Sequence, residues 1–253
     1  MNFDEKIKNK YLLSRKFNLF KLFYYISLRI KSFSKIKKSY SGHHVDLIAE
    51  ELFKNKKKGI YIDVGCRHPF ISNNTFKLYK KGWEGINIDL DFTFIDSFNF
   101  HRPKDCNIQI GVSDSIGTQE MYFHHERSSI NTLEKSRGHR AKSTRNINIT
   151  TLDNIIENSK YSDQEIDFMS IDVEGYEINV LKGFNIKKYK PKMLTIEYID
   201  PTMKKEEFYH QNINNILNSD VYKFMKDNDY HFVQWLHSDL IFVSADVFFD
   251  NNF

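Results

Sequence analysis

Three short apolar stretches, each closing on an acidic residue, constrain this chain more than any other feature. The first is Gly59-Ile60-Tyr61-Ile62-Asp63-Val64-Gly65-Cys66-Arg67-His68-Pro69. It reads as a buried strand, an acid at its end and a glycine turn. The second is Ile86-Asn87-Ile88-Asp89, and the third is Phe168-Met169-Ser170-Ile171-Asp172-Val173-Glu174-Gly175. Helical segments separate the strands through most of the chain. That alternation predicts a mainly parallel α/β sheet with helices on both faces. Three strands then deliver carboxylates to one sheet edge, where ligands of such sheets sit.

The remaining elements fill in that frame. Ser39 to Asp46 opens a helix running to about Phe53, with Asp46 near its start, where the helix dipole favours an acid. Strand 60–64 follows, then a helix capped by Asn73-Asn74-Thr75 and stopped by Lys80-Lys81-Gly82. Further strands are expected at 84–90, 106–112, 146–150, 166–171, 193–198, 230–236 and 239–244. Further helices are expected at 92–101, 152–158, 175–183 and 206–227. Residues 115–124 read as a β-hairpin turning at Gly117, and 125–144 as a polar loop or lid. His237-Ser238 between the last two strands suits a closing hairpin that adds one antiparallel strand.

The 253 residues suggest one domain, 39–253, with an appendage, 1–38. Charge separates the two. Residues 1–40 hold eleven Lys or Arg against Asp4 and Glu5, a net of +9, so the remainder carries −5 of the overall +4. The folded body is therefore not an obvious nucleic-acid binder. Residues 10–36 predict a helix whose polar positions, Ser14, Asn18, Lys21, Arg29 and Ser32, form one narrow stripe. A helix so apolar elsewhere needs cover, from the body, from a second subunit or from a membrane interface. Cys66 and Cys106 fit neither zinc spacing nor a disulfide framework. With no convincing signal peptide or membrane span, a cytoplasmic protein, peripheral at the membrane if the helix lies there, is the expectation.

Asp89 lies 24 residues beyond Gly65, close to the acid-to-ribose offset of dinucleotide folds. Yet Gly65 is the only glycine of the first turn. Arg67, His68 and Pro69 occupy positions where a pyrophosphate would need close backbone approach. A cofactor with adenosine but no phosphate fits better, which suggests S-adenosyl-L-methionine.

On the same residues the chain resembles the FkbM-type methyltransferases, S-adenosylmethionine-dependent enzymes with a Rossmann-like class I methyltransferase sheet. The matching stretches are Ser39-Tyr40-Ser41 with Asp46, Tyr61 to Gly65 with His68-Pro69, Asn74-Thr75, Lys81 to Asp89 and Gly111-Val112-Ser113-Asp114. Thr151-Leu152-Asp153, Ile166 to Glu177, Val180 to Gly183 and Pro191 to Glu197 continue it in order. Cys66 and Arg67 replace a commoner small residue and Asn.

The resemblance implies roles position by position. Asp63 and Gly65 would line the methionine end of the cofactor, Asp89 would bind its ribose, and Ser113 and Asp114 would approach the adenine. Asp172 and Glu174, where a strand meets its helix, would orient or deprotonate an acceptor hydroxyl, or hold a divalent cation that lowers its pKa. Glu197 is a further candidate, and His68 is the imidazole best suited to act as general base. His43, His44, His124 and His125 are expected on the surface or in loops. The reaction expected is O-methylation of a hydroxyl, most plausibly of a sugar in a glycan or glycolipid. N-methylation or RNA cap methylation on the same fold, served by Arg127, Arg137, Arg140 and Arg145, stays open, as does a non-catalytic binding module.

Overall fold

The structure is a computed structural model that describes residues 12, 18–33, 39–125, 131–135, 141–199 and 212–250. In chain order its elements are α1 (Leu19–Phe33), α2 (Val45–Leu52), β1 (Ile60–Val64), α3 (Phe76–Lys80), β2 (Glu84–Asp89), α4 (Phe92–His101), β3 (Cys106–Gln109), β4 (Gly111–Val112), β5 (Gly117–Phe123) and β6 (Ser143–Thr150). They continue as α5 (Leu152–Glu157), β7 (Phe168–Ile171), α6 (Glu177–Lys182), α7 (Ile186–Tyr189), β8 (Met193–Glu197), α8 (Ile213–Leu217), α9 (Asp220–Asp227), β9 (Tyr230–Leu236), β10 (Asp239–Ser244) and α10 (Ala245–Asp250).

Seven strands form the main sheet in the order β3-β2-β1-β7-β8-β10-β9. β10 runs antiparallel to both its neighbours, while the pairings among β3, β2, β1, β7 and β8 are parallel. The period-2 geometry of a strand explains why both faces are covered. Ile62, Met169, Leu194 and Leu240 pack with α5, α6, α7 and α9 on one side. Their sequence neighbours Tyr61, Phe168, Met193 and Ile241 pack with Val45 and Ala49 of α2 and Leu78 of α3 on the other. Strand order reverses between β1 and β7, so the crevice for a ligand opens at the carboxyl ends of those two strands.

The structure departs from the expected elements at 106–112, 115–124 and 206–227. The stretch 106–112 is two strands: β3 pairs with β2, and β4 leaves to join β6 in a second sheet ordered β4-β6-β5. Residues 115–124 do not close a local hairpin. Instead β5 pairs with β6, seven residues in register from Gly117↔Ile149 to Phe123↔Ser143. The reason is burial, because Met121 and Ile149 then share a cluster with Leu133 and Tyr176. The expected helix 206–227 is two helices, α8 and α9, and Ser219 starts the second by accepting from the Tyr222 N–H at 3.1 Å. Its residues 206–211 lie outside the described residues, as do 126–130 and 136–140 of the expected lid. Within that lid, Thr132 bridges back to Tyr122.

The expected N-terminal helix is present as α1, although 10–11, 13–17 and 34–36 fall outside the described residues. It lies against α4. Lys21 and Tyr25 face inward: Lys21 is fully buried and pairs with Asp96 at 2.5 Å, and Tyr25 packs against Phe100 and His101, whereas Arg29 of the polar stripe is exposed.

Candidate active site

A cleft of about 570 Å³ opens at the carboxyl edge, walled by the main sheet on one side and the small sheet on the other. Gly65, Asp89, Ile110, Met121, Asp172 and Glu174 are among its lining residues. Gly65 is obligatory at its place. It has φ +78°, and a Cβ there would stand 1.8 Å from the Asp172 carbonyl oxygen. Its N–H and that of Cys66 both donate to the Ile88 carbonyl, which ties the turn to β2 at 2.9 and 3.0 Å.

Asp89 ends β2 and faces the cleft. Its two oxygens accept backbone N–H bonds from Asp91 at 2.8 Å and Arg67 at 2.9 Å. Each carboxylate oxygen has a second acceptor position for a hydroxyl. Desolvation by the cleft walls pushes the carboxyl up to about 7, against the lowering effect of those two N–H bonds. Donors from a ribose would favour the ionised form. Leu90, Phe92, Ile110 and Met121 supply apolar wall nearby. An adenosine without phosphates fits this donor set, since a diol acceptor and a flat apolar slot are present.

Four expected residues are placed elsewhere. Asp63 is buried behind the turn rather than in the cleft, and accepts from Asn73 Nδ2 and Thr75 Oγ1, both at 2.9 Å. Arg102, itself fully buried, donates to Thr75 and Asn73 and closes that network. Ser113 is buried where α6 ends, its carbonyl packed so close to Gly183 that a Cβ there would lie 2.0 Å away. Asp114 is exposed and bonds only neighbouring seryl hydroxyls among the hydrogen bonds it makes, so neither residue lines the cleft. His68 is also outside the lining. Its Nδ1 accepts from the Phe70 and Ile71 N–H groups, and its ring packs edge-on against Phe70. It is a turn cap: a short loop between strand and helix needs its N–H groups satisfied.

Asp172 and Glu174 line the cleft as well, and Glu197, His43 and Asp239 stand beside Asp172 just outside the lining. Asp172, Glu174 and Glu197 each place a carboxylate oxygen within 4.8 Å of the other two. Glu174 reaches its position with φ +59°, followed by Gly175 at +96°. A left-handed glutamate costs roughly 1–3 kcal/mol. Glu177, the first residue of α6, holds the loop by accepting from the N–H groups of Val173 and Gly175 at 3.1 and 2.9 Å. Thr132 donates to the Glu174 carbonyl at 2.8 Å. Burial pushes Glu177 up to about 7 despite its N–H partners. Asp172 is pushed up to about 6, first by desolvation and then by the Asp239 charge, while a hydrogen bond with Glu197 works the other way.

Asp239 faces Glu197 directly in the antiparallel register of β8 and β10. It accepts from Nδ1 of His43 at 2.7 Å, and the His43 ring stacks on His237 with centroids 4.1 Å apart. The hydrogen bond to Asp239 raises the His43 pKa, opposed by burial and helped by Asp172. With Nδ1 as donor to an ionised Asp239, the neutral ring presents Nε2 as an acceptor. His43 is held from below: Ser41 Oγ accepts from the His43 and Val45 N–H groups and donates to Asn74, which donates to Ser170 of β7. Asp239 and the placement of His43 escape a reading by motif, and Glu177 lies in the matching stretch Ile166 to Glu177 without a role of its own there. Only the tertiary packing of the loop before α2 against β10 brings residues 43 and 239 together. Among the arginines weighed for nucleic acid, Arg127, Arg137 and Arg140 lie outside the described residues, and Arg145 stacks on Phe123 at 4.7 Å.

The sequence profile described as "Methyltransferase FkbM domain" matches residues 63–232. No curated protein sequence matches the chain. Among solved structures, a TehB-like SAM-dependent methyltransferase from Corynebacterium glutamicum ATCC 13032 Kitasato aligns over 87% of this chain and 96% of its own. The identity is 11% and the TM-score 0.39.

Proposed function

The chain belongs to the FkbM methyltransferase family, and from that premise we propose that it is an S-adenosylmethionine-dependent O-methyltransferase acting on a hydroxyl of a sugar. The observation that carries this reading is the arrangement beside Asp172, where an imidazole backed by a carboxylate stands next to three further carboxylates. Clustered carboxylates suit an acceptor with several hydroxyl donors, as a sugar has. They suit a phosphodiester backbone poorly, because like charges repel.

Asp89 and Gly65 would hold S-adenosylmethionine, which would supply an electrophilic methyl group for an acceptor oxygen, its sulfur keeping the bonding electron pair. The chain's own tasks are to align the acceptor and to take its proton. Asp172 and Glu197 accept hydrogen bonds from the acceptor's hydroxyls and fix its angle. His43 Nε2 takes the proton, and Asp239 fixes the tautomer and steadies the imidazolium. Asp172, Glu174 and Glu197 are also the ligand set that a divalent cation would use.

The test is methyl transfer from methyl-labelled S-adenosylmethionine to methyl glycosides and extracted glycolipids, with and without chelator. Labelled methyl ethers are the expected product, and label in amines or RNA caps would contradict the reading. Loss of transfer on chelation, restored by magnesium, would assign the carboxylates to a metal. His43→Gln is expected to lower kcat by about 10²-fold or more with cofactor affinity unchanged. The wild-type rate should climb as pH rises through the raised His43 pKa, where the ring becomes neutral. Asp239→Asn should move that limb to lower pH, since the anion that raises the pKa is gone.

A further inference from the structure

We propose that α1 docks this protein on an anionic lipid surface. The helix is mounted on the body through Lys21 and Tyr25: Lys21 is fully buried against Asp96 and over Phe92, and Tyr25 is buried against α4, while Arg29 is exposed beside the outward face. The outward face is apolar. Leu19, Phe23, Ile26 and Ile30 are 71, 67, 39 and 63% exposed. Their spacing of four, three and four residues aligns them as one stripe on a helix. A helix that buries a lysine and a tyrosine on the body and shows a stripe of large apolar residues to solvent has a partner for that stripe.

Charge selects the partner. Residues 1–40 carry eleven Lys or Arg against two acids, while the rest of the chain is net acidic. In sequence, basic residues flank the stripe on both sides: Lys6, Lys8, Lys10, Arg15 and Lys16 before it, and Lys31, Lys35, Lys37 and Lys38 after it. An apolar stripe bordered by cations is what inserts at the headgroup boundary of an anionic bilayer. A second copy of the chain would bring the same positive charge to the contact. Four side chains are also far fewer than the roughly 20–30 residues a side of a standard stable interface. Among the described residues no helix is long and apolar enough to cross a membrane, so the contact is with the surface.

The test is co-sedimentation of the full chain with vesicles of phosphatidylcholine containing phosphatidylglycerol, and with vesicles of phosphatidylcholine alone. Binding to the anionic vesicles is expected, weakening as salt rises. A Phe23→Asp, Ile30→Asp variant should lose at least about tenfold in bound fraction while melting at the same temperature, because both side chains are exposed. Lys35→Glu, Lys37→Glu, Lys38→Glu should weaken binding without touching the stripe. Absence of binding, equal binding to both vesicles, or binding untouched by the stripe variant would overturn the proposal. So would a vesicle-free dimer that the stripe variant dissolves, since the occupant would then be a second copy. None of these outcomes depends on which hydroxyl is methylated.

Discussion

At the scale of single residues, the site rests on Gly65 and Asp89. Gly65 lets β1 turn beneath the Asp172 carbonyl, which leaves no room for a side chain. Gly65→Ala should therefore destabilise the fold by at least about 3 kcal/mol in urea unfolding, or prevent soluble folding, because both clash and φ oppose it. A variant of wild-type stability would refute this account of the turn. Gly65, Asp89 and Asp172 could be found from the sequence because strand-end acids and turn glycines are local signals. Asp63, Ser113, Asp114 and His68 carry the same local signals yet do not line the cleft. The Asp63 side chain is committed to a buried arginine network and that of His68 to capping a turn, while Ser113 is buried against the end of α6 and Asp114 points to solvent. A local pattern places a residue at the edge of the sheet but does not say which way its side chain is claimed. His43 and Asp239, 196 residues apart, have no local signal at all.

At the scale of elements, the most informative piece is the link from β7 to α6. It carries a left-handed glutamate, a glycine and a buried glutamate that holds both neighbouring N–H groups. Glu177 has a folded-state pKa of about 7, raised from its ordinary value near 4.5. The folded protein therefore binds a proton there that the unfolded chain has lost, so stability from this group falls as pH rises from about 4.5 to about 7. Thermal unfolding of wild type and Glu177→Gln across pH 5 to 8 isolates the effect. Wild type should lose up to roughly 3 kcal/mol more than the variant over that range, and parallel curves would contradict it. The strand pairing of β5 with β6, and the burial of Lys21 beneath α1, share one reason for escaping prediction. Each is decided by what another element buries, and no window of the sequence contains both partners.

At the scale of the molecule, alternating strands and helices led directly to a mainly parallel sheet with a closing antiparallel strand, and the strand order puts the crevice between β1 and β7. The small sheet β4-β6-β5 then roofs that crevice, and β10 carries Asp239 in from the far side. Asp89 and Asp172 both line that crevice.

The central claim is that this cleft holds S-adenosylmethionine by a ribose bond to Asp89. Isothermal titration of the full chain with S-adenosylmethionine tests it most directly. Binding to wild type, weakened by roughly 10- to 100-fold in Asp89→Asn through the loss of charge-assisted hydrogen bonds, is the predicted result. No binding to wild type, or equal affinity in the variant, would contradict it.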